Sequence, residues 1–349
     1  MSCPRIELVP ATPWSLRLFD RIPLPAFWAG VALGLAAFGL FLLYTAVLGE
    51  GAGRLAGVSF EWGALAEAIQ DGLLGFSVAV TAASMRAARE EIEAVRPALA
   101  GRLGDGADLA RAVLRYPRVL LAAIGACGVL SSFPTVLSSD MWIGGRQPGW
   151  THPTVVWLFL RNAVTWWLVL RGMALELITG RRFSELARSI EIADPFERAP
   201  FAPFARRALR NVLLWMLLAA WLALTYVGPG WAIGTLMALG LTTVAAFACA
   251  AFVLPLLGPH AKLRAAKQAE LAKLRAAIRA ARDAALAPTA TERPGRLADL
   301  VAYEARVAAA GEWPIETSTL LRFALYLALG LGSWVGAGLV QHFVERMLG

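Results

Sequence analysis

The chain is poor in the residues that usually mark a cross-linked or reactive site. It contains three cysteines and three histidines in 349 residues. So few cysteines cannot form the disulfide framework of a small secreted domain, and their spacing matches no metal-binding motif. The histidines, His152, His260 and His342, lie on separate segments, so we expect neither a shared metal site nor a bound cofactor.

Lysine is scarce as well, because Lys262, Lys267 and Lys273 are the only lysines among 33 basic residues. This preference for arginine, together with abundant alanine and glycine, is typical of proteins from GC-rich bacteria. The formal net charge of +8 would suit nucleic acid, but basic loops that face anionic lipid explain it more simply. We therefore predict a bacterial inner-membrane protein with no nucleic-acid partner.

Apolar residues are what the chain has in plenty. They make up 58% of the sequence, and the mean hydropathy of +0.59 is too high for an ordinary soluble domain. A membrane-crossing helix needs about 20 predominantly apolar residues. Seven stretches are predicted spans: Leu24–Leu48, Trp62–Met85, Arg118–Leu137, Thr154–Ile178, Val212–Val227, Trp231–Leu257 and Leu320–Val340.

The fifth stretch is the shortest, and we expect it to extend backwards through Ala208 and Leu209, with Arg207 and Arg210 snorkelling to the inner headgroups. An alternative count of six spans would join Val212 to Leu257 in one helix, which the Gly228-Pro229-Gly230 turn makes unfavourable.

Arginine and lysine alternate along the segments that flank these stretches. Their numbers are 3, 1, 7, 1, 7, 0, 10 and 1 from the N- to the C-terminus, with Arg118 counted in the third segment. Basic residues next to membrane spans stay on the cytoplasmic side. The alternation therefore predicts a cytoplasmic N-terminus and an external C-terminus.

Helical periodicity continues past several spans. Apolar residues recur at helical spacing as far as Leu99 after the second span, and as far as Asp194-Pro195 after the fourth. After the sixth span we predict a break at Gly258-Pro259 and then a charged, alanine-rich helix over His260–Leu286.

A second amphipathic helix follows the Pro288–Gly295 turn, and Trp313-Pro314 leads back to the membrane. The predicted fold is thus an all-α polytopic membrane bundle in three regions. Residues 1–258 hold six spans with helical extensions, residues 259–316 form a cytoplasmic helical hairpin, and residues 317–349 hold the last span and a short external tail.

Charged residues inside the predicted spans are the strongest pointer to function. The second span carries Glu67 and Asp71, and the fourth carries Arg161 and Arg171. Each charge at the membrane centre costs roughly 2.5–3.5 kcal/mol on insertion scales, so such charges should pair or face water. We predict that Arg161 pairs with Glu67 or Asp71. A polar stripe on the second span accompanies them: Gln70, Ser77, Thr81 and Ser84.

Several interpretations of these charges stay open. The ion pairs could simply lock the second and fourth helices together, or the charges could lie at the membrane interface. They could instead line a watered path for ions or protons, or recognise a substrate.

The last span has an unusual density of small residues, among them Gly332, Ser333 and Gly336. Small residues four apart let two helix backbones approach closely. They predict either packing within the chain or a central interface around a pore, which Gln341 would also line. Gly30-x-x-x-Gly34 in the first span is interpreted as packing.

The block from His260 through Trp313-Pro314 to Thr317–Arg322 resembles bacterial multi-pass membrane proteins that have no assigned activity. The arrangement is also similar to the seven-helix cation channels typified by insect chemoreceptors, whose last helix often carries Thr-Tyr, then five residues, then Gln-Phe. Ser333-Trp334 and Gln341-His342-Phe343 correspond loosely to those pairs. This resemblance implies a cytoplasmic helical anchor and a tetrameric pore along Gly332–Gln341.

We expect a homo-oligomer in the lipid bilayer that passes ions or small solutes. The alternative is a non-conducting scaffold whose hairpin recruits a cytoplasmic protein. An enzyme is not expected, because the sequence has no His/Glu metal cluster, no serine with a nearby histidine and no aspartyl dyad motif.

Overall fold

The computed structural model describes residues 24–47, 60–99, 113, 116–133, 153–192, 194–224, 235–286, 295–315 and 317–348. Every regular element in these ranges is helical, as predicted. The α-helices are α1 (Ala26–Val47), α2 (Phe60–Val95), α3 (Arg118–Leu130), α4 (Pro153–Ala187), α5 (Ala202–Leu224), α6 (Thr235–Val253), α7 (Leu257–Ala285), α8 (Arg296–Ala309) and α9 (Thr317–Leu348).

Several helices expose large apolar side chains, while a group of charged side chains lies inside the bundle. Leu35 of α1 and Leu321 of α9 are 67% and 71% exposed, whereas Glu67, Asp71 and Arg161 are buried. Large exposed apolar surfaces are unfavourable in water and favourable against lipid. The arrangement is compatible with a membrane protein.

Among the described residues, four helical segments are long and apolar enough to cross a membrane, and two others are shorter apolar helices. The long segments are Ala26–Tyr44, Glu67–Leu99, Val155–Ala187 and Thr242–Ala285, and the shorter ones are Arg118–Leu130 and Ser318–Gly330. They overlap six of the seven predicted spans. The fifth, Val212–Val227, lies in α5 as far as Leu224 and is not among these segments, so the count of seven and the orientation stay predictions.

Helices α2, α4 and α5 form the centre of the bundle. Helix α1 packs on α2, α3 packs on α4, and α9 packs on α5. Between α2, α4, α5 and the start of α7 lies a large apolar core, in which Ile92, Phe183, Phe204 and Leu263 are almost completely buried.

Helices α1 and α2 approach each other closely through glycines. A Cβ atom placed on Gly30 would lie 2.5 Å from the carbonyl oxygen of Gly75, and one placed on Gly34 would lie 3.1 Å from the carbonyl oxygen of Asp71. Without side chains the two backbones touch directly. The interpretation of Gly30-x-x-x-Gly34 as a packing motif is confirmed.

The predicted break between α6 and α7 is wrong by a few residues. Helix α6 ends at Val253, a 3-10 turn covers Leu254–Leu256, and α7 begins at Leu257. Pro255 lies in that turn, where its missing N–H and its ring disfavour a continuous α-helix. Gly258 lies in the first turn of α7, and an added Cβ there would overlap the carbonyl oxygen of Ser184. This glycine therefore lets α7 cross α4 closely.

The helix after the fourth span is also shorter than predicted, because α4 ends at Ala187 rather than at Asp194. The apolar positions were nevertheless identified correctly, since Phe183, Leu186 and Ile190 are all buried. Ile190 reaches the core from a turn instead of from a helix.

Helices α7 and α8 pack together as the predicted hairpin. The Arg275 Nε atom lies 2.8 Å from the Glu304 carboxylate, and Leu274 and Val307 are buried between the helices and their neighbours. Helix α8 begins at Arg296 and is preceded by its N-cap Gly295, whose φ of 99° is readily adopted by glycine. Most of the connecting turn lies outside the described residues, and the division of the chain into three regions stays a prediction.

The segment from α8 back to α9 is held by two side chains of α7. The Nδ1 atom of His260 lies 3.0 Å from the carbonyl oxygen of Glu312, and its ring stacks on Trp313 with 4.2 Å between the centroids. Lys267 donates to the carbonyl oxygen of Ala310 at 3.0 Å. The entry to α9 is thus fixed to the start of α7.

Gly30→Ala should destabilise the protein by about 1–3 kcal/mol, because a methyl group would force α1 and α2 apart. Thermal unfolding in detergent, followed by tryptophan fluorescence, measures this loss. Gly39→Ala in the same helix is the matched control, since its added Cβ would meet no described atom within 4 Å. Equal melting temperatures for the two variants would contradict the packing argument.

Candidate functional site

The first buried polar cluster lies between α2 and α4 and consists of Glu67, Asp71, Trp157 and Arg161; we call it the membrane cluster. An ion pair joins Nη1 of Arg161 to Oε2 of Glu67. The indole Nε1 of Trp157 donates to Oε1 of Glu67 at 2.9 Å. Both oxygens of the Glu67 carboxylate are therefore engaged, and the expected pairing of Arg161 is with Glu67.

Asp71 lies one helical turn from Glu67 and has a different environment. Its side chain is 0% exposed, and neither of its carboxylate oxygens has a hydrogen-bond partner among the described residues. It interacts electrostatically with Glu67 and Arg161. A buried polar group without a hydrogen bond is unfavourable, and an ionised one far more so. The membrane cluster thus contains two carboxylates and one guanidinium.

Arg171, the other predicted membrane charge, is buried further along α4, about 15 Å from Arg161 by helical rise. Its guanidinium carbon lies 5.4 Å from the centroid of the Trp167 ring, within the range of a cation–π contact. Arg171 therefore lies in a different part of the bundle from the membrane cluster.

The predicted polar stripe on α2 divides into two parts. Ser77 donates to the carbonyl oxygen of Leu74 at 2.8 Å, and Thr81 donates to that of Ser77 at 2.9 Å. Their hydroxyls are thus satisfied within their own helix. Gln70 is half-buried, and only Ser84 makes hydrogen bonds to other helices.

On α9 the small residues differ in their surroundings. A Cβ atom on Gly330 would meet Met216 of α5 at 2.6 Å, whereas one on Gly332 or Gly336 would meet no described atom within 4 Å. Contacts among the described residues therefore explain why position 330 needs a glycine, but they do not explain the glycines at positions 332 and 336. The side chains of Ser333 and Gln341 lie outside the described residues.

The second buried cluster joins α2, α4 and α5, and we call it the Arg207 network. Its centre is the guanidinium of Arg207, which is 0% exposed and lies 3.0 Å from Glu91 and 2.7 Å from Glu176. The guanidinium carbon also lies 4.5 Å from the centroid of the Phe183 ring. A single side chain of α5 thus holds carboxylates of the two other central helices.

Three further side chains complete the Arg207 network. Arg210 pairs with the second oxygen of Glu91, and both Asn211 and Ser84 bond to Glu176. Two guanidinium groups therefore meet two carboxylates, and the network carries no net charge. The prediction that Arg207 and Arg210 snorkel to the headgroups is wrong for Arg207, because its ion pairs hold it inside the bundle.

Glu176 is the residue whose importance sequence reasoning missed, although a signal was present. It is the only acidic residue in the predicted span Thr154–Ile178. The rule that predicted a partner for Arg161 also requires one for Glu176. Which arginine supplies it depends on how the helices face each other.

Tyr116 extends the Arg207 network on the side of α4. Its hydroxyl lies 2.7 Å from that of Thr179, and it donates to the sulfur of Met85 at 3.2 Å. Burial raises the pKa of Tyr116 to about 12, since the phenolate would be desolvated.

Comparisons of the chain with protein-family models, with curated proteins and with solved structures found no match. The functional argument therefore rests on the geometry of the two clusters.

Arg207→Met should destabilise the protein by about 3–5 kcal/mol, because it leaves two buried carboxylates without their main cation. Arg181→Met on α4 is the control, since the Arg181–Glu185 pair is exposed and its loss should change stability by less than about 0.5 kcal/mol. Melting curves of both variants in the same detergent test the difference. Similar curves would show that the Arg207 network does not hold the helices together.

Tyr116→Phe should reduce the sensitivity of the fold to alkali. The pKa of Tyr116 is higher in the folded protein than its ordinary value of 10.0, so its contribution is full below pH 10 and is lost as the pH rises through about 12. At roughly 1.4 kcal/mol for each pKa unit, that contribution is about 3 kcal/mol. Melting temperatures between pH 9 and pH 12 measure the difference, with Tyr303→Phe at the exposed surface as control.

Proposed function

We propose that the protein passes ions or small solutes across a bacterial inner membrane as a homo-oligomer, with seven spans, a cytoplasmic N-terminus and an external C-terminus. The observation that carries this proposal is the membrane cluster. It holds a buried carboxylate, Asp71, without a hydrogen-bond partner among the described residues.

A cluster that only locks helices together would be expected to balance its charges. The Arg207 network does so, because two guanidinium groups meet two carboxylates. The membrane cluster has one guanidinium for two carboxylates, and the second carboxylate, Asp71, has no hydrogen-bond partner among the described residues. An unmatched charge of this kind inside a membrane helix is more readily explained by passage of an ion than by structure.

The outer face of α9 supports the oligomeric part of the proposal. Leu325 and Leu329 are 51% and 62% exposed, and a Cβ atom on Gly332 or Gly336 would meet no described atom within 4 Å. Small residues favour close contact between membrane helices. A second copy of α9 is the partner that we propose for this surface, with the pathway formed around the shared axis.

The second candidate function is a membrane scaffold. Helix α7 favours it, because charged side chains such as Lys273 and Arg275 are 76% and 63% exposed beyond the apolar core. In that case the hairpin would bind a cytoplasmic protein along the Leu271–Ile278 face.

Ion and solute flux into liposomes that contain the purified protein tests the proposal. Asp71→Asn and Gly336→Leu should each reduce flux, the first by neutralising the carboxylate and the second by blocking close contact of α9. Ser77→Ala is the control, since the Ser77 hydroxyl bonds within its own helix. Flux that neither variant alters, together with a monomer in detergent, would contradict the proposal. A single constant soluble partner crosslinked at Leu271–Ile278 would favour the scaffold.

A further inference from the structure

We propose that Asp71 is a proton-binding site, and that the proton is one of the ions whose movement the protein supports. The proposal rests on the proposed function and deepens it by naming the ion. It begins from an aspartate side chain that is 0% exposed, has no hydrogen-bond partner among the described residues and lies beside an ion pair.

The membrane cluster needs one more positive charge to have a net charge of zero. Arg161 neutralises Glu67, to which it is paired, so an ionised Asp71 would give the membrane cluster a net charge of −1. One bound proton brings that charge to zero. Neutralisation by protonation is the usual response of a carboxylate that is buried without a cation of its own.

Among the described residues, the helices packed around Asp71 supply no other charge that could replace the proton. On α2 its charged neighbour is Glu67, and on α4 it is Arg161. Helix α1, whose Gly34 touches the Asp71 backbone, has Tyr44 as its single titratable residue. Helix α5 has no titratable residue from Val212 to Leu224 and contributes Trp221, which donates to the carbonyl oxygen of Ile69 at 2.8 Å.

The chemistry of the membrane cluster favours a proton over a metal cation. A calcium ion takes about six to eight oxygen ligands and a magnesium ion demands near-octahedral coordination. Both oxygens of Glu67 are already engaged, by Arg161 and by Trp157, so one carboxylate is left to bind a cation. A proton needs only one of its oxygens.

In the proposed transfer, side-chain rotation or one bridging water brings the two carboxylates within hydrogen-bond reach, so that the proton moves between them. Residues four apart lie about 6 Å from each other along a helix, on the same face. When Asp71 releases its proton to Glu67, the Glu67 carboxylate becomes neutral and the Asp71 carboxylate becomes negative. Arg161 then pairs with Asp71 in place of Glu67. One proton and one guanidinium exchange partners, and the net charge of the membrane cluster stays zero.

Infrared difference spectroscopy of the purified full-length protein tests proton binding without reference to transport. Wild type should show the C=O band of a protonated carboxylic acid, and this band should be lost when the pH is raised. Asp71→Asn should lack the band because an amide replaces the acid at nearly unchanged size. Glu185→Gln, which alters an exposed carboxylate on α4, should keep it. A band of unchanged intensity in Asp71→Asn would overturn the proposal.

Proton flux into liposomes that enclose a pH-sensitive dye tests the second half of the proposal. A potassium gradient with valinomycin sets the membrane potential, and wild type should acidify or alkalinise the lumen according to its sign. Asp71→Asn should lose this flux while Ser77→Ala keeps it. Equal proton flux in wild type and Asp71→Asn would overturn the proposal.

The two measurements separate failure of this inference from failure of the proposed function. If wild type passes another ion or solute but no protons, the inference fails and the proposed function stands. If wild type passes no ion or solute and yet shows the Asp71-dependent infrared band, the proposed function fails and the proton-binding site stands.

Discussion

The bundle depends on the guanidinium of Arg207, which is buried away from water and forms ion pairs with two carboxylates. Arg207 lies among α2, α4 and α5, and its ion pairs to Glu91 and Glu176 connect helices that are distant in the sequence. Removing such a group from water costs several kcal/mol, which only well-placed partners can offset. The relative rotation of the three central helices is therefore restricted to positions in which both carboxylates reach the same arginine. Asn211 and Ser84 add directional hydrogen bonds to Glu176, which restrict the rotation of these helices further.

Because a buried charge needs a partner of opposite charge, the two clusters have opposite properties. In the Arg207 network the charges cancel, and the surrounding aromatic rings, including Phe183, exclude water. In the membrane cluster one carboxylate is left over, and the nearby backbone contact between α1 and α2 leaves little space around it. One cluster is suited to holding helices in place and the other to changing its charge. The glycines of α1 contribute to the second by closing the helix pair directly beside Asp71.

Much of the fold follows from the sequence because hydropathy and helical period are local properties. The helices, the α7–α8 hairpin and the Gly30–Gly34 packing motif were all found in this way. The pairing of Arg161 could also be predicted, since few acidic residues lie at a comparable depth. The pairing of Arg207 could not, because Glu91 is 116 residues away and the contact depends on the rotation of two helices. Likewise, Gly258 was interpreted as a helix breaker because the sequence does not show that α4 passes directly against it.

The segment between α8 and α9 is hydrogen-bonded on two sides, and this has a mechanical consequence. On one side it is bonded to His260 and Lys267 near the start of α7, and on the other the guanidinium of Arg198, which precedes α5, donates to the carbonyl oxygen of Gly311 at 3.3 Å. Ile315 then enters the apolar core immediately before α9 begins. A movement of the hairpin would therefore either break these hydrogen bonds or displace the segment that leads to α9.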